Sequence, residues 1–371
     1  MSLPLPSTAF QSTLVTLEPT STFGPKVQYA LQKALGKGGY TSVYKIIKFQ
    51  ETTGAAPASI PLAVKVFIKS KKYYEIEEIH KDYGWSFLRP LDHRRFAYPD
   101  ENFYSEAEFQ TRDQKKRIHL FVLPFFPGNP LKKYIGESKK SITMDWKKET
   151  ALDLCALIEE MHQKNILHLD IKPENLILGE DGQMRLVDFD FSRPKNFPGL
   201  KTLGTRRYMA PEFFFNRTIK IVIADKQTED SLQSKLSILE TFLEPPDEKA
   251  DIWSLLITLF YVFTGKKLMP VELIDFNINR GTAYLNLILA DFDEENLKAA
   301  CIKYRCFFFS LFQIQIYKQI NRLLKDPSLI KCFFMEDLKT DPSLRPTIQT
   351  ITQKINDFFP SKASLVQMLW F

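Results

Sequence analysis

One short segment constrains this chain more than any other, because it places an acid, a base and an amide within a few residues. The segment HLDIKPEN spans residues 168–175 and contains Asp170, Lys172 and Asn175. Another carboxylate, Asp188, follows a second apolar run further along the chain. If the short runs on either side pair as a β hairpin, Asn175 and Asp188 supply two oxygen ligands for a hard cation beside an acid able to act on a hydroxyl.

A glycine-rich stretch, LGKGGYTSV at residues 35–43, lies between two runs of β-type residues. Clustered glycines permit a tight turn and let backbone N–H groups approach phosphate closely. Thr41 stands where the third glycine of a G-x-G-x-x-G pattern would be, so an ordinary glycine-rich hairpin explains the stretch equally well. Taken alone, the stretch is weak support for a phosphate-binding loop.

A single lysine interrupts the apolar strand that follows. Lys65 lies in the run AVKV at residues 63–66. Burying an ammonium group without an anion is costly, so a lysine in such a strand needs a partner. Phosphate oxygens and a carboxylate would provide one. The alternative is a lysine on an edge strand, with its ammonium group reaching solvent.

With these motifs in this order, the sequence resembles the eukaryotic-type protein kinase family, serine/threonine branch, over about residues 27–359. The resemblance implies an α+β, bilobal protein kinase fold with a β-rich N-lobe, a mainly helical C-lobe and ATP bound between them. It implies that Asp170 is the catalytic base and that Lys172 neutralises the transferring phosphoryl group. Asn175 and Asp188 are then the residues that hold Mg²⁺.

The resemblance also implies which residues bind ATP. Lys65 would hold the α- and β-phosphates, with Glu75 as its carboxylate partner and Glu78 as the alternative. Glu75 is favoured by counting back from residues 87–88, taken as the start of the fourth strand. The remaining nucleotide-binding positions lie in the glycine-rich loop, the strand that carries Lys65, the gatekeeper and the hinge: Leu35, Gly36, Lys37, Gly38, Gly39, Val43, Ala63, Leu123, Phe125 and Phe126.

The stretch GTRRYMAPE at residues 204–212 resembles the substrate-binding end of a kinase activation segment. Thr205 is expected to bond both Asp170 and Lys172. Basic residues near this stretch could favour acidic or already phosphorylated peptides, or could form a solvated basic loop. These residues are Lys195, Lys201, Arg206 and Arg207.

Two further contacts are implied inside the C-lobe. Glu212 is expected to form a buried ion pair with Arg345, and loss of one partner would cost about 3 to 5 kcal/mol. Asp251 is expected to hold the catalytic-loop backbone at His168.

The chain is predicted to contain one bilobal domain between two tails. The first tail is predicted to be flexible because Ser, Thr and Pro are frequent in it. The predicted boundaries are 1–26 for the first tail, 27–360 for the kinase domain and 361–371 for the second tail, with the N-lobe at 27–123, the hinge at 124–127 and the C-lobe at 128–360. Residues 97–117 are polar and are expected to form an inserted loop. Residues 213–247 form an insertion that is a candidate docking site for a partner.

Two residues depart from the family pattern. Leu169 replaces the arginine that receives the activation-loop phosphate, which disfavours switching by loop phosphorylation. Asp190 replaces the glycine of the metal-binding triplet and predicts a stiffer triplet, because Asp reaches the left-handed region only at about 1 to 2 kcal/mol. Asp190 could instead act as a third carboxylate near the metal, or mark decay toward a pseudokinase.

Two functions from different classes therefore compete. The first is an ATP-dependent serine/threonine kinase that does not require activation-loop phosphorylation. The second is a pseudokinase that acts as a nucleotide-binding scaffold or allosteric partner. The presence of Lys65, Asp170, Asn175 and Asp188 favours the active kinase. A small-molecule kinase is disfavoured, because residues 204–212 resemble a peptide-binding ledge.

Composition narrows the partners and the compartment. A net charge of +6 over 371 residues is too small an excess to indicate nucleic-acid binding. The longest apolar stretches, 252–264 and 306–316, fall short of the roughly 18 residues that a membrane span needs. The four cysteines form no C-x-x-C pair, which favours a reducing compartment. We therefore expect a cytoplasmic protein, with the nucleus or delivery into a host cell left open, and ATP and a protein substrate as its partners.

Overall fold

The computed structural model describes residues 14–17, 27–37, 41–48, 62–67, 85–98, 104–110, 115–137, 142–195, 204–269, 271–325 and 328–358. The chain divides into two compact units. The first comprises Met1–Gly128 and Gly179–Asp190, and the second comprises Asn129–Leu178 and Phe191–Phe371. The main sheet lies in the first unit and the long helices lie in the second, as the α+β prediction requires.

All strands in the described residues lie before Lys195. They are β1 (Leu14–Leu17), β2 (Val27–Lys37), β3 (Thr41–Lys48), β4 (Leu62–Phe67), β5 (Phe96–Ala97), β6 (Tyr104–Gln110), β7 (Lys115–Pro124), β8 (Gly128–Pro130), β9 (Ile166–Leu167), β10 (Leu176–Gly179), β11 (Met184–Val187) and β12 (Arg193–Pro194). One antiparallel sheet has the order β1-β2-β3-β4-β7-β6. The predicted meander of β2, β3 and β4 is confirmed.

Both edges of this sheet lie where no strand was predicted. β1 falls inside the predicted flexible tail 1–26, yet its four residues pair with β2. β6 falls inside the predicted loop 97–117 and pairs along its length with β7. β6 contains mostly polar residues, which an edge strand tolerates, whereas β1 is a four-residue, mainly apolar run within a stretch rich in Ser, Thr and Pro. The inserted-loop prediction is therefore wrong for residues 104–110, and the tail prediction is wrong for residues 14–17.

The predicted strand start at residues 87–88 is also wrong. Ser86–Leu88 forms a single 3₁₀ turn, and the strand that precedes β7 in the chain is β6. The preference for Glu75 over Glu78 was counted from residue 87, so that preference loses its basis. Both glutamates lie outside the described residues.

The first unit also contains a short segment from late in the chain. β11 runs parallel to β5, with Leu186 opposite Phe96. Beyond β11, the buried ring of Phe189 packs edge-on against Phe96 and Tyr98, with centroids 6.2 and 6.1 Å away. Residues 179–190 therefore group with the first unit, whereas the sequence prediction assigned all of 128–360 to the C-lobe.

The second unit is built mainly from helices. In the described residues they are α1 (Leu131–Glu137), α2 (Met144–Gln163), α3 (Pro211–Lys226), α4 (Gln233–Glu240), α5 (Glu248–Thr264), α6 (Val271–Asp291), α7 (Glu294–Leu323), α8 (Leu329–Asp337) and α9 (Ile348–Phe358). Side-chain caps begin several of them, for example Thr143 at α2, Asp247 at α5 and Asp293 at α7. Each cap satisfies a backbone N–H that the helix itself leaves unpaired.

α5 forms the centre of the second unit. Residues 250–263 are all buried, and the helix packs against α2 and α8. It ends at Gly265, whose φ of 67° is the left-handed conformation common after helix C-termini. A helix that is apolar on every side is a core helix, as predicted for residues 252–264. No helix in the described parts of the chain is both long and apolar enough to cross a membrane.

Much of the segment 213–247 folds into the core of the second unit. Phe214 and Phe215 are buried in α3. Their rings contact α7, with centroid distances of 6.1 Å from Phe214 to Phe312 and 5.5 Å from Phe215 to Tyr304. Apolar residues of this candidate docking insertion are therefore partly used in intramolecular packing.

Candidate active site

A buried carboxylate fixes the backbone at the start of the loop 168–175. Asp251, in the first turn of α5, accepts hydrogen bonds from the backbone N–H of His168 (2.9 Å) and of Leu169 (2.8 Å). His162 Nε2 lies 3.1 Å from the same Oδ2 that accepts from His168. These donors and the positive end of the α5 dipole compensate for burying the carboxylate. The predicted role of Asp251 is confirmed.

Leu169, which stands where the family has arginine, has a strained backbone conformation. Its φ is 63°, which is unusual for a residue with a bulky side chain. Such a conformation costs on the order of 1 to 3 kcal/mol and persists only where the surroundings hold it. Here the Leu169 N–H is held by Asp251, and the side chain is buried.

Asp170 is surrounded by the groups that the sequence predicted for it. It is 2% exposed, and it accepts hydrogen bonds from the Thr205 N–H (2.7 Å to Oδ1), from Asn175 Nδ2 (3.2 Å to Oδ2) and from Lys172 Nζ. Lys172 Nζ also donates to Thr205 Oγ1 at 2.8 Å. The expected contacts of Thr205 are therefore present, and Asp170, Lys172 and Asn175 form one cluster within the second unit.

Gly204 allows the segment that carries Thr205 to approach this cluster. Its φ is 109°, and a Cβ atom at this position would lie 2.4 Å from the backbone oxygen of Leu169. Any other residue would clash with backbone, which cannot move aside as a flexible side chain could. The contact between Thr205 and Asp170 therefore depends on glycine at 204.

Lys65 occupies a second cluster, within the first unit. It lies on β4, is 6% exposed, and forms ion pairs with Asp188 and with Asp190, the latter at 2.7 Å. Burial by itself would lower the pKa of Lys65, but the two carboxylates outweigh that effect and raise the pKa well above its ordinary value. The alternative of a lysine reaching solvent from an edge strand is excluded, because β4 is an interior strand of the sheet.

The predicted metal-binding triplet comprises residues 188–190. Its strained residue is Asp188, not Asp190. Asp188 has a φ of 70°, whereas Asp190 is absent from the described residues with positive φ. Asp190 does not adopt the left-handed backbone that a glycine would reach freely, and the prediction that it stiffens the triplet stays a prediction. Asp190 also acts through charge, since its carboxylate lies on the Lys65 ammonium group.

Several of the predicted nucleotide-binding positions lie opposite one another in the sheet. Gly36 lies opposite Val43 across β2 and β3, and Val43 lies opposite Lys65 across β3 and β4. The β2–β3 register shifts between Ala34 and Gly36, which marks a bulge next to the turn. Lys37 is the last residue of β2, and Gly38 and Gly39 lie outside the described residues.

The gatekeeper and hinge residues lie near the end of β7 and just after it. Leu123 pairs with Ala63, which is buried on β4. Phe125 and Phe126 are half-buried, and each aromatic ring contacts a cation. Lys45 Nζ lies 5.3 Å from the centroid of the Phe125 ring. The Arg185 guanidinium is 5.2 Å from the Phe126 centroid. Leu35 on β2 is 41% exposed.

The residues predicted to hold Mg²⁺ have the right donor atoms. Asn175 directs Nδ2 toward Asp170, which leaves Oδ1 as the side-chain atom able to bind a cation. Asp188 contributes a carboxylate, of which Oδ1 contacts Lys65. No group of three or more His, Cys, Asp and Glu side chains in the described residues could hold a metal by itself. Mg²⁺ sites of this kind are completed by waters and substrate phosphates.

The basic residues near the substrate-binding stretch are largely bound within their own unit. Lys195 pairs with Glu248 at 2.7 Å, and Arg206 pairs with Asp275. Arg207 Nη1 donates to the Met269 backbone oxygen at 2.6 Å, and Lys201 lies outside the described residues. These contacts offer no support for a preference for acidic substrates.

Glu212 and Arg345 form the predicted buried ion pair. Arg345 Nη1 and Nη2 donate to the two carboxylate oxygens of Glu212 at 2.8 and 2.6 Å. Arg345 also donates to the backbone oxygens of Lys339, Thr340 and Lys249. The pair therefore joins the start of α3 to the segment before α9, with all of its strong donors satisfied.

Two supporting residues were not predicted. His162 is buried at the end of α2 and contacts Asp251, and Ser254 Oγ donates to the backbone oxygen of Tyr208 at 2.7 Å. A polar residue on the apolar side of a helix is the sequence signal that could have identified either one. The signal is weak, because such residues usually serve packing alone.

Comparison with known proteins places these clusters in context. The family model described as "Protein kinase domain" matches residues 29–224, which is more than half of the chain. The serine/threonine-protein kinase STY46 of Arabidopsis thaliana is 32% identical over 160 residues, covering 42% of this chain and 23% of that protein. The serine/threonine-protein kinase AtPK1/AtPK6 of the same organism is 27% identical over 240 residues, covering 64% and 42%.

A yeast relative aligns over a greater length. The serine/threonine-protein kinase ppk34 of Schizosaccharomyces pombe is 23% identical over 350 residues, covering 82% of this chain and 88% of that protein. By contrast, this chain spans less than half of the length of the two Arabidopsis thaliana kinases.

Proposed function

Because this chain belongs to the protein kinase family, we propose that it transfers the γ-phosphate of ATP to serine or threonine hydroxyls of protein substrates. The observation that carries the proposal is the Asp170 cluster. A buried carboxylate fixed by Thr205 and Asn175 can accept a hydroxyl proton, and the ammonium group of Lys172 beside it can balance charge on the transferring phosphoryl group.

Lys65 has the properties required for phosphate binding. Its raised pKa keeps the ammonium group charged at neutral pH, and its burial strengthens attraction to an anion. In this proposal the nucleotide phosphates replace part of its contact with Asp188 and Asp190. Mg²⁺, when bound by Asn175 and Asp188, supplies further neutralisation of the phosphates.

We further propose that the site is active without phosphorylation of the activation segment. Leu169, which replaces the phosphate-receiving arginine, cannot bind a phosphate. The contacts that position residues 204–212 are instead made by unmodified groups. Thr205 is held by Asp170, and Tyr208 is held by Ser254. A phosphate is therefore not needed to dock this stretch.

The test of the proposal is a phosphotransfer assay with radiolabelled ATP and Mg²⁺ on generic basic and acidic protein substrates. Asp170→Asn keeps the size of the side chain but removes the base, so transfer should fall by about 10² to 10⁴-fold. Binding of ATP, measured by thermal shift, should remain. Phosphoamino-acid analysis should find label on serine or threonine. Equal transfer by the parent and Asp170→Asn would overturn the proposal.

A pseudokinase remains the second candidate, and one observation favours it. Two carboxylates already contact the Lys65 ammonium group, so incoming phosphates must compete with Asp188 and Asp190. If that competition prevailed, the chain would keep its fold without transferring phosphate. Saturable stabilisation by ATP and Mg²⁺ with no transfer above the Asp170→Asn background would establish this alternative.

We also propose a reducing, cytoplasmic location. All four cysteines are free thiols, and burial raises the pKa of Cys155 to about 12. Imaging of the tagged full chain in its own cells tests this, and a signal confined to an oxidising compartment would contradict it.

A further inference from the structure

α6 and α7 together expose an apolar surface. Phe276, Tyr284 and Leu287 lie on α6, and Phe307 and Ile314 lie on α7. Each is between 46% and 59% exposed. We refer to these five residues as the α6–α7 face. Large apolar side chains are normally scattered singly on a soluble surface, and a contiguous group of them indicates an interaction site.

The two helices pack closely enough to make this face continuous. The rings of Tyr284 and Phe307 are stacked at 5.9 Å, and Asn277 Nδ2 donates to Gln315 Oε1 at 2.6 Å. The helices are therefore antiparallel. Gly281 permits the close approach, because a Cβ atom there would lie 2.5 Å from Tyr304 Oη. The α7 residues of the face are seven apart, which places them on one side of the helix.

The face is bordered by positive charge. α7 contains no acidic residue after Glu295, whereas Lys303 stands four residues before Phe307 and Lys318 stands four residues after Ile314. Both lysines are exposed, and neither forms an ion pair within the described residues. The spacing of four residues puts each lysine on the same side of α7 as its apolar neighbour.

Charges on α6 do not reverse this balance. The guanidinium group of Arg280 lies 5.3 Å from the Phe276 ring centroid. Asp275 beside it is neutralised by Arg206. Glu272 lies one turn before Phe276 and the exposed Asp291 lies one turn after Leu287, so the acidic residues of α6 lie at the two ends of the face. The central and α7 parts of the face therefore combine apolar side chains with cations.

We propose that the α6–α7 face is a docking surface for an amphipathic, acidic peptide segment of a partner protein. The apolar residues of the segment would pack on the face, and its carboxylates would meet Lys303, Lys318 and Arg280. A second copy of this chain is a poorer fit, because a two-fold contact through the face would bring its cations together. The proposal goes beyond phosphoryl transfer, and its test does not depend on activity.

The probe is a synthetic 18-residue helical peptide with Leu and Phe on one face and Glu beside them, measured by fluorescence anisotropy against the full chain. One-to-one saturable binding is expected. A scrambled peptide of equal composition and a peptide with Lys in place of Glu should each bind about tenfold or more weakly. If the scrambled peptide bound as tightly as the designed one, the proposal would be overturned.

Variants locate the binding on the face. Phe307→Ala, Ile314→Ala and Lys303→Glu should each weaken binding of the acidic peptide by about tenfold. The double variant Lys303→Glu/Lys318→Glu should gain affinity for the Lys-substituted peptide. The matched controls are Lys298→Glu, on another side of α7, and Leu344→Ala, which is 67% exposed outside the face. Both controls should bind as the parent does.

Folding and competing partners are checked separately. All of the changes are at exposed positions, so thermal midpoints should match the parent, and any variant that unfolds is replaced by the next apolar residue of the face. Unchanged peptide binding in Phe307→Ala and Ile314→Ala would refute the proposal. So would face-dependent self-association in sedimentation, or tighter face-dependent binding to phosphatidylserine vesicles or to a single-stranded oligonucleotide than to the peptide.

Discussion

At the residue scale, Asp190 sets how strongly Lys65 is held before a nucleotide arrives. Its carboxylate contacts the ammonium group at 2.7 Å beside that of Asp188. The family's glycine at this position has no charge to offer. The residue that departs from the family pattern therefore acts on the one lysine that the family pattern requires.

Replacing Asp190 should make ATP binding tighter. Asp190→Gly removes one of two carboxylates that compete with phosphate, and a gain of about 1 kcal/mol corresponds to roughly fivefold in the dissociation constant. The pKa of Lys65 should move down toward its ordinary value, because the variant loses one of the negative charges that raise it.

Thermal-shift titration with ATP and Mg²⁺ measures the affinity for ATP. Asp190→Asn, which removes the charge at nearly constant volume, should act in the same direction, and weaker binding in both variants would contradict this account.

Gly204 makes a second prediction at this scale. In Gly204→Ala, the added methyl group would meet the Leu169 backbone oxygen and push Thr205 away from Asp170. Misplacement of this kind should lower kcat by about 10 to 100-fold, with a loss of about 1 to 3 kcal/mol in stability. Steady-state kinetics and thermal unfolding measure the two effects. Gly136→Ala is the control, because that helical glycine has open space around it and should tolerate alanine. Equal effects at both positions would refute the steric explanation.

The contacts of individual residues at the Asp170 cluster were the part of this structure that the sequence predicted best. The sequence predicted the contacts of Thr205 with Asp170 and Lys172, because a short, dense motif allows few arrangements. The partner of Asp190 could not be predicted, since it depends on where the backbone turns after β11. The left-handed conformation of Asp188 was not predicted either, because nothing in the local sequence marks it.

At the element scale, the Glu212–Arg345 pair links the start of α3 to the segment before α9. Both side chains are buried, and two parallel hydrogen bonds join them. Arg345→Ala should therefore lower the free energy of unfolding by about 3 to 5 kcal/mol, because it leaves the Glu212 carboxylate buried and unpaired. Chemical denaturation measures this change.

An exposed pair provides the comparison. Lys226 and Glu229 form an ion pair at 2.7 Å near the end of α3. Glu229→Ala should leave the free energy of unfolding nearly unchanged, because solvent screens the pair. Similar losses at the two sites would show that burial does not decide the energy of the Arg345 pair.

The sequence predicted helices and strands well where neighbours cover them on both sides, and poorly at the edges of the sheet. α5 and β4 have long or distinctive apolar runs because they are enclosed by neighbours. β1 and β6 lie at the edges of the sheet, where pairing with a single neighbour determines the conformation. The pairing partner is not part of the local pattern, so residues 104–110 resembled a polar loop.

At the scale of the whole molecule, the sequence predicted the fold class and the order of the motifs. The assignment of residues 179–190 to the first unit was not predictable, because it depends on β11 pairing with β5 almost a hundred residues earlier. The site residues accordingly form two groups. Lys65, Asp188 and Asp190 belong to the first unit, and the Asp170 cluster belongs to the second.

We propose above all that this chain is a kinase whose Asp170 cluster is assembled without a phosphate. The most direct measurement is the initial rate of phosphoryl transfer by the full chain after phosphatase treatment, with its unphosphorylated state verified by intact mass. Thr202 stands just before residues 204–212 and is the candidate phosphorylation site of the activation segment. We expect a rate equal to that of the untreated chain and of Thr202→Ala, and far above that of Asp170→Asn. Loss of the rate on dephosphorylation, with recovery only when Thr202 is phosphorylated, would contradict the claim.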